Sequence, residues 1–323
     1  MRVQAQDPTY VAQARAEAQF WTNGPRWADA AAETANIIAR RHYNLRFTGD
    51  PHLPWFETIA RYGPFHSGAV LGAGGIPHEK RILETNPSLR LTIFDISPGP
   101  LAERDRALAP LFPGRVQTQR ADLNFIQLPA DAYDVIISAS AIHHVTNLEY
   151  LAEQVRRALM PGGYFFLHDY VGESRRRFSP LKKLVFELLY NREMTRQGRL
   201  PVELEWSTGD DVASPFCAIR SADILPVFGE RLAVQQLRTT GALVFPMLFS
   251  RDPRPPARAS LRWRLSTTCG LRKIMRVINT RVSSAVDDLV SPAFLAQLLD
   301  IGDRLTDAGE LLPTNAFAIY RRQ

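Results

Sequence analysis

The chain predicts an α/β fold, a doubly wound and mostly parallel sheet. Three observations carry that expectation. Residues Ser67 to Ser97, SGAVLGAGGIPHEKRILETNPSLRLTIFDIS, read as strand, glycine turn, helix and strand in one pass. β-rich runs at Arg115–Arg120, Tyr133–Ser138 and Tyr164–Leu167 then alternate with an amphipathic stretch at Thr146–Met160. Finally, Gly72, Asp95, Asp122, Ser138 and Asp169 all fall at strand ends, where open α/β sheets bind their ligands.

The elements follow in order. Ala12–Phe20 and Ala28–Tyr43 have helical character, with Trp21, Trp27, Phe47, Trp55 and Phe56 expected in the loops between them. Residues 1–66 are therefore expected to form an N-terminal helical extension. His52 and His66 lie in loops without a metal-like partner spacing, which suits surface or capping roles. Ala69–Leu71 is a short apolar run fit for a buried parallel strand. Gly72, Gly74 and Gly75 follow at once, and Ile76–Thr85 has helical spacing, with Ile76 and Leu83 on one face and Ile82 beside them. Arg90–Phe94 is the second strand and ends on Asp95.

A strand, a glycine turn and a helix make a cofactor cradle. Gly72 permits the tight turn, and Gly74 allows close approach to the backbone. The helix start adds free N–H groups and positive potential. An acid at the second strand's tip can accept from both ribose hydroxyls, so the unit suits an adenosine-containing ligand. It is not the dinucleotide pattern, because Pro77 stands where G-x-G-x-x-G needs its last glycine.

Leu148, Leu151, Val155, Ala158 and Leu159 line one side of the stretch from Thr146 to Met160, with Thr146 or Asn147 as candidate caps. Pro161-Gly162-Gly163 ends it. The glycine loop, Asp95, the Asp122-Leu123 pair, YDVIISASAIHHV and LMPGGYFFLHD together resemble, over residues 67 to 170, class I S-adenosylmethionine-dependent methyltransferases. The resemblance implies a Rossmann-like, doubly wound, mostly parallel seven-stranded sheet with an antiparallel edge strand. It implies S-adenosylmethionine as cofactor, with Gly72 and Gly74 at its methionine part, Ala73 between them in the cofactor set, and Asp95 at its ribose. Ile96 and Leu123 would flank the adenine, Asp122 would accept from its amine, and Ser138 would complete the cofactor set. The chain departs from the family in two places: Val70 stands where many members carry an acid, and the third glycine is displaced to Gly75.

Methyl transfer from a sulfonium is an in-line displacement, to which a protein contributes alignment and dry surroundings. A hydroxyl acceptor gains from a base tuned near neutral pH, and His143 and His144 follow the fourth strand as candidates. The competing use of either is a polar plug that bonds the loop. His168 can face either side of the sheet. The expected acceptor is a small molecule or glycan, methylated at oxygen. The alternative is a degenerate, non-catalytic scaffold or partner-binding subunit, which Val70 and the shifted glycine favour and the intact Asp95 and Asp122 oppose. No Asn-Pro-Pro-aromatic motif follows the fourth strand, which argues against the amines of DNA bases, and no RNA-binding module is recognisable.

After Tyr170 the pattern changes. Val171–Trp206 is too long for an ordinary connection and is expected to form a helical cover, with Leu181, Leu184, Val185, Leu188 and Leu189 as its packing stripe. The methyltransferase domain is thus expected to span 67–323, with insertions at about 171–215 and 241–300. Ala218–Phe228 reads as the next helix and Leu232–Arg238 as the next strand, paired with a last strand at Ala316–Arg321. Pro292–Leu299 and Asp303–Ala308 are helical. Arg251–Pro256 is a Pro-rich turn, and a basic stretch from Arg258 to Val282 is expected to attract an anionic acceptor or a membrane surface.

Of the 323 residues, 45% are hydrophobic and 22% charged, ordinary for a soluble globular protein, and the net charge is +6. Cys217 and Cys269 stand alone, suggesting neither a disulfide framework nor a zinc site. No metal is expected. The N-terminal residues lack the apolar core of a signal peptide, and the longest apolar run, near Gly241–Phe249, is too short to span a bilayer. A cytoplasmic location is the resulting expectation, and the sequence leaves the oligomeric state open.

Overall fold

The computed structural model describes residues 3–23, 37–73, 78–251, 253 and 291–323. Strands β1 (Ser67–Leu71), β2 (Arg90–Asp95), β3 (Val116–Arg120), β4 (Tyr133–Ala139) and β5 (Leu159–Tyr170) run parallel. Two short strands, β6 (Glu205–Trp206) and β8 (Ser250–Arg251), pair in a separate ribbon. β7 (Ala233–Thr240) and β9 (Asn315–Arg321) complete a seven-stranded sheet in the order β3-β2-β1-β4-β5-β9-β7. β9 is antiparallel to both of its neighbours. The expected antiparallel pairing of the last strand with the one near 232–238 is therefore present, and it closes one edge of the sheet.

The strands are apolar on both sides because both faces are covered. Ile136 of β4, Phe165 and Leu167 of β5, and Ala316, Ala318 and Tyr320 of β9 join one core. That core is filled by Leu148, Leu151 and Val155 of α5 (Leu148–Ala158) and by Ile224 and Phe228 of α7 (Ile224–Gly229). The alternate residues Val135, Ile137, Phe166, Phe317 and Ile319 face the opposite core. There they meet Trp55 and Ile59 of a 3₁₀ helix (Trp55–Tyr62), Ile82 and Leu83 of α3 (Glu79–Thr85), and Leu101 and Leu108 of α4 (Pro98–Leu108). The remaining helices are α1 (Pro8–Asn23), α2 (Ile37–Thr48), α6 (Pro180–Arg196), α8 (Val244–Phe249) and α9 (Pro292–Asp307).

Several expectations need correction. Asn147 does stand at the start of α5, but its amide does not cap the helix; it donates to Val3 O and Asn124 O at 3.2 Å each. α5 ends at Ala158, before the Pro-Gly-Gly turn, and β5 begins at once at Leu159. Phe47 lies within α2, Trp21 in the last turn of α1, and Trp55 and Phe56 in the 3₁₀ helix, so none of these aromatics is in a loop. The two C-terminal helical segments are one helix, and the helix expected at 218–228 is confined to Ile224–Gly229 after a short 3₁₀ turn. Trp27, Gly74, Gly75, Ile76, Pro77, Cys269 and the basic stretch from Arg258 to Val282 lie outside the described residues.

The largest correction is the phase of α6. It buries Lys182, Phe186, Tyr190, Glu193 and Met194; of the expected stripe, Val185 and Leu189 pack half-buried against the same core, whereas Leu181, Leu184 and Leu188 are 44%, 55% and 62% exposed. The aromatic and methionine side chains form the larger apolar face, packing with Val244 and Met247 of α8 and with Phe294, Leu295 and Leu298 of α9. Lys182 is carried inside because its Nζ meets Glu173 Oε2 and donates to Leu312 O, both at 2.7 Å.

Candidate active site

A cleft opens beyond the C-terminal ends of β1, β2 and β4. Gly72 turns the chain out of β1 with φ +94°, and a Cβ there would come within 2.2 Å of the Ala141 Cβ. Its N–H donates to Phe94 O at 2.8 Å. Only glycine fits this position. Asp95, at the tip of β2, accepts from Ala73 N and Ser97 N at 2.7 Å each, one bond per oxygen. A carboxylate oxygen has a second acceptor site, so Asp95 keeps capacity for a ligand.

Gly72, Asp95, Ile96, Asp122 and Leu123 all line the cleft, while Ala73 is buried beside it. Asp122 is already engaged. Its Oδ2 accepts from the Tyr10 hydroxyl at 2.6 Å, and its Oδ1 from Asn124 N at 2.9 Å. Burial and the adjoining Asp122 carboxylate push the Tyr10 phenol well above its ordinary range. Ser138 is fully buried, with its hydroxyl donating to Leu71 O at 2.8 Å. It joins β4 to β1 and does not line the cleft; Ser140, two residues on and in a left-handed conformation (φ 53°), does.

The two histidines separate. His143 Nδ1 lies 2.5 Å from Asp169 Oδ1. Asp169 Oδ2 also accepts from Ala141 N and Ile142 N at 3.1 and 2.8 Å, and Oδ1 from Tyr170 N at 2.7 Å. Burial pushes the Asp169 carboxyl up, but His143 and these N–H groups hold it below its usual value. Burial, with His144 beside it, lowers His143 to about 4 against the pull of Asp169. His143 and Asp169 thus brace the segment after β4.

His144 lines the cleft. Its Nδ1 lies 2.9 Å from Glu17 Oε1, and its Nε2 is buried without a hydrogen-bond partner among the described residues. Glu17, on α1, accepts from Trp21 Nε1 at 2.6 Å, from the Ser214 hydroxyl at 2.8 Å and from Phe216 N at 3.2 Å. Burial opposes its charge, yet His144, Ser214 and Trp21 bring Glu17 down to about 2. With Glu17 ionised, a proton on Nδ1 faces it, and in the tautomer that carries its proton there Nε2 is the acceptor nitrogen.

His168 faces the other side of the sheet, stacked on Trp55 at 5.2 Å between ring centroids. Glu17, Tyr10, Ser214 and Phe216 were not foreseen as site residues. Nothing in linear spacing joins α1 to residue 144 or residue 214; the one available signal was the shared helix face of Tyr10 and Glu17, seven residues apart.

The family model described as a methyltransferase domain matches residues 71–165. The chain is 25% identical over 146 residues to the ubiquinone/menaquinone biosynthesis C-methyltransferase UbiE of Methylobacterium nodulans, covering 43% of this chain and 58% of that protein. The chain thus spans under two thirds of that curated relative. Among solved structures, a geranyl diphosphate methyltransferase in complex with GPP and sinefungin superposes with a TM-score of 0.50 at 12% identity, covering 96% of this chain and 98% of that one. A putative sarcosine dimethylglycine methyltransferase from Galdieria sulphuraria gives a TM-score of 0.47 at 15% identity, covering 97% and 98%. At such identities the structural likeness is one of fold.

Proposed function

We propose that this chain, whose residues 71–165 match a methyltransferase-domain family model, is a class I S-adenosylmethionine-dependent methyltransferase that methylates a small acceptor that gives up a proton, with His144 as the base. The observation that carries this reading is the buried, unpartnered His144 Nε2 in the cleft that also holds Gly72, Asp95 and Asp122.

The residues present fit the cofactor. The turn at Gly72 leaves backbone room, Asp95 has spare acceptor sites for a ribose, and Ile96 and Leu123 offer apolar flanks for an adenine. Asp122 is the weakest of these assignments, since Tyr10 already takes one of its oxygens. Ser138 drops out, and Ser140 takes its place at the wall. When bound, S-adenosylmethionine supplies an electrophilic methyl on a sulfonium. His144 Nε2 takes the proton of the acceptor as its lone pair forms the new bond, and Glu17 steadies the resulting imidazolium. Asp169 and His143 position the segment that bears His144.

A hydroxyl of a small molecule or glycan meets these requirements, and so does an activated carbon, the kind of acceptor the name of the C-methyltransferase relative indicates. The reading of a scaffold without chemistry is weakened by a buried Glu–His pair that has no evident structural partner for Nε2. Methyl transfer from labelled S-adenosylmethionine into a fractionated metabolite extract tests the proposal. His144→Ala should lower transfer roughly 10²–10⁴-fold while S-adenosylhomocysteine still binds. Full transfer by His144→Ala would remove His144 from the chemistry.

A further inference from the structure

Arg176 lies in the short 3₁₀ turn Ser174–Arg176 beyond the C-terminal end of β5, on the side of the sheet where the cleft opens. It is 6% exposed. Its guanidinium carbon stands over three aromatic rings, 5.4 Å from the centroid of Tyr170, 5.5 Å from Phe245 and 4.5 Å from Phe249. Among the described residues its Nε and Nη1 have no hydrogen-bond partner.

The nearby acids are already taken. Glu173 is paired with Lys182 at 2.7 Å, and Asp169 serves His143 and three backbone N–H groups. A buried cation without an ionic partner is costly, and aromatic faces repay only part of the lost hydration. The chain also places Arg175 and Arg176 at φ 55° and 52°, left-handed values that ordinary residues avoid. The position adjoins the reacting region: the Tyr170 ring under Arg176 is 6.2 Å from that of His143, and the His143 ring is 4.1 Å from that of His144.

We infer that Arg176 receives an anionic group of the methyl acceptor, a carboxylate or phosphate, and so selects acidic acceptors. The inference rests on the methyltransferase reading for the word acceptor, but the anion site stands on its own geometry. A guanidinium matches either oxyanion through parallel N–H donors. The aromatic walls exclude the water that competes for such a bond. An acceptor anchored here would present its nucleophile toward the histidine pair, one ring away.

The test titrates benzoate and inorganic phosphate, separately and at constant ionic strength, into the full chain with and without S-adenosylhomocysteine. Wild-type protein should bind one equivalent of at least one anion. Arg176→Gln should weaken that binding at least about tenfold, and Arg176→Lys, which keeps the charge, should restore part of it. The tighter of the two anions identifies the acceptor's group. Absence of saturable binding of both anions to wild type up to about 50 mM, or equal affinity in wild type and Arg176→Gln, would overturn the inference. S-adenosylhomocysteine is titrated independently. Should it fail to bind while anion binding still depends on Arg176, the methyltransferase reading falls and the anion site remains.

Discussion

His143 and His144 are sequence neighbours with different surroundings. One is held at Nδ1 by Asp169; the other leans on Glu17 at Nδ1, with a buried Nε2 that has no hydrogen-bond partner among the described residues. The sequence placed both after the fourth strand but could not divide them. Their directions depend on the left-handed Ser140 and on a 3₁₀ turn over Ile142–His144, neither of which has a residue signature. Burial has a further consequence at this scale. His143 and His168 are lowered from 6.5 to about 4, and His78 to about 3, chiefly by desolvation. All three are therefore held neutral when folded. Between 6.5 and those lower values the unfolded chain binds more protons, so their contribution is full above 6.5 and is lost as pH falls toward 4. We expect the unfolding free energy from urea titration, and with it the urea midpoint, to fall between pH 7 and pH 5, the free energy by on the order of 1–2 kcal/mol per histidine. A midpoint that holds steady or rises over that interval contradicts neutral burial.

At the scale of elements, the strands were legible and the packing of the added helices was not. β1 and β4 are apolar runs followed at once by Gly72 and Ser140, β2 ends on Asp95, and their buried faces leave little choice of period. α6 shows the opposite case. Its sequence, PLKKLVFELLYNREMTR, carries apolar residues on more than one face. The leucines suggested one stripe, and the larger Phe186, Tyr190 and Met194 took the other because α8 and α9 supply a matching core. A paired comparison checks this register. Phe186→Ala should cost about 3–5 kcal/mol, while Leu184→Ser, on the exposed side, should change stability by less than about 0.5 kcal/mol. Equal losses in the two variants would mean that the leucine face is packed after all. α1 was legible as a helix, but its role was not, because Tyr10 and Glu17 reach partners more than a hundred residues away at Asp122 and His144.

At the scale of the whole molecule, the strand order brings the ends of β1, β2 and β4 to one rim, and α1 and Phe216 close over it. The cleft, His144 and Arg176 then lie at the C-terminal ends of parallel strands or on segments leaving them, and α1 brings Glu17 to His144. No helix among the described residues is long and apolar enough to cross a membrane. The account depends most on the cleft being a cofactor site, and calorimetric titration of S-adenosylhomocysteine into wild-type protein and Asp95→Ala measures that directly. The prediction is one site per chain, weakened in Asp95→Ala by about 1.5–3 kcal/mol, the loss of a charge-assisted hydrogen bond. Absence of binding to the wild-type chain, or the same affinity in both proteins, would contradict it.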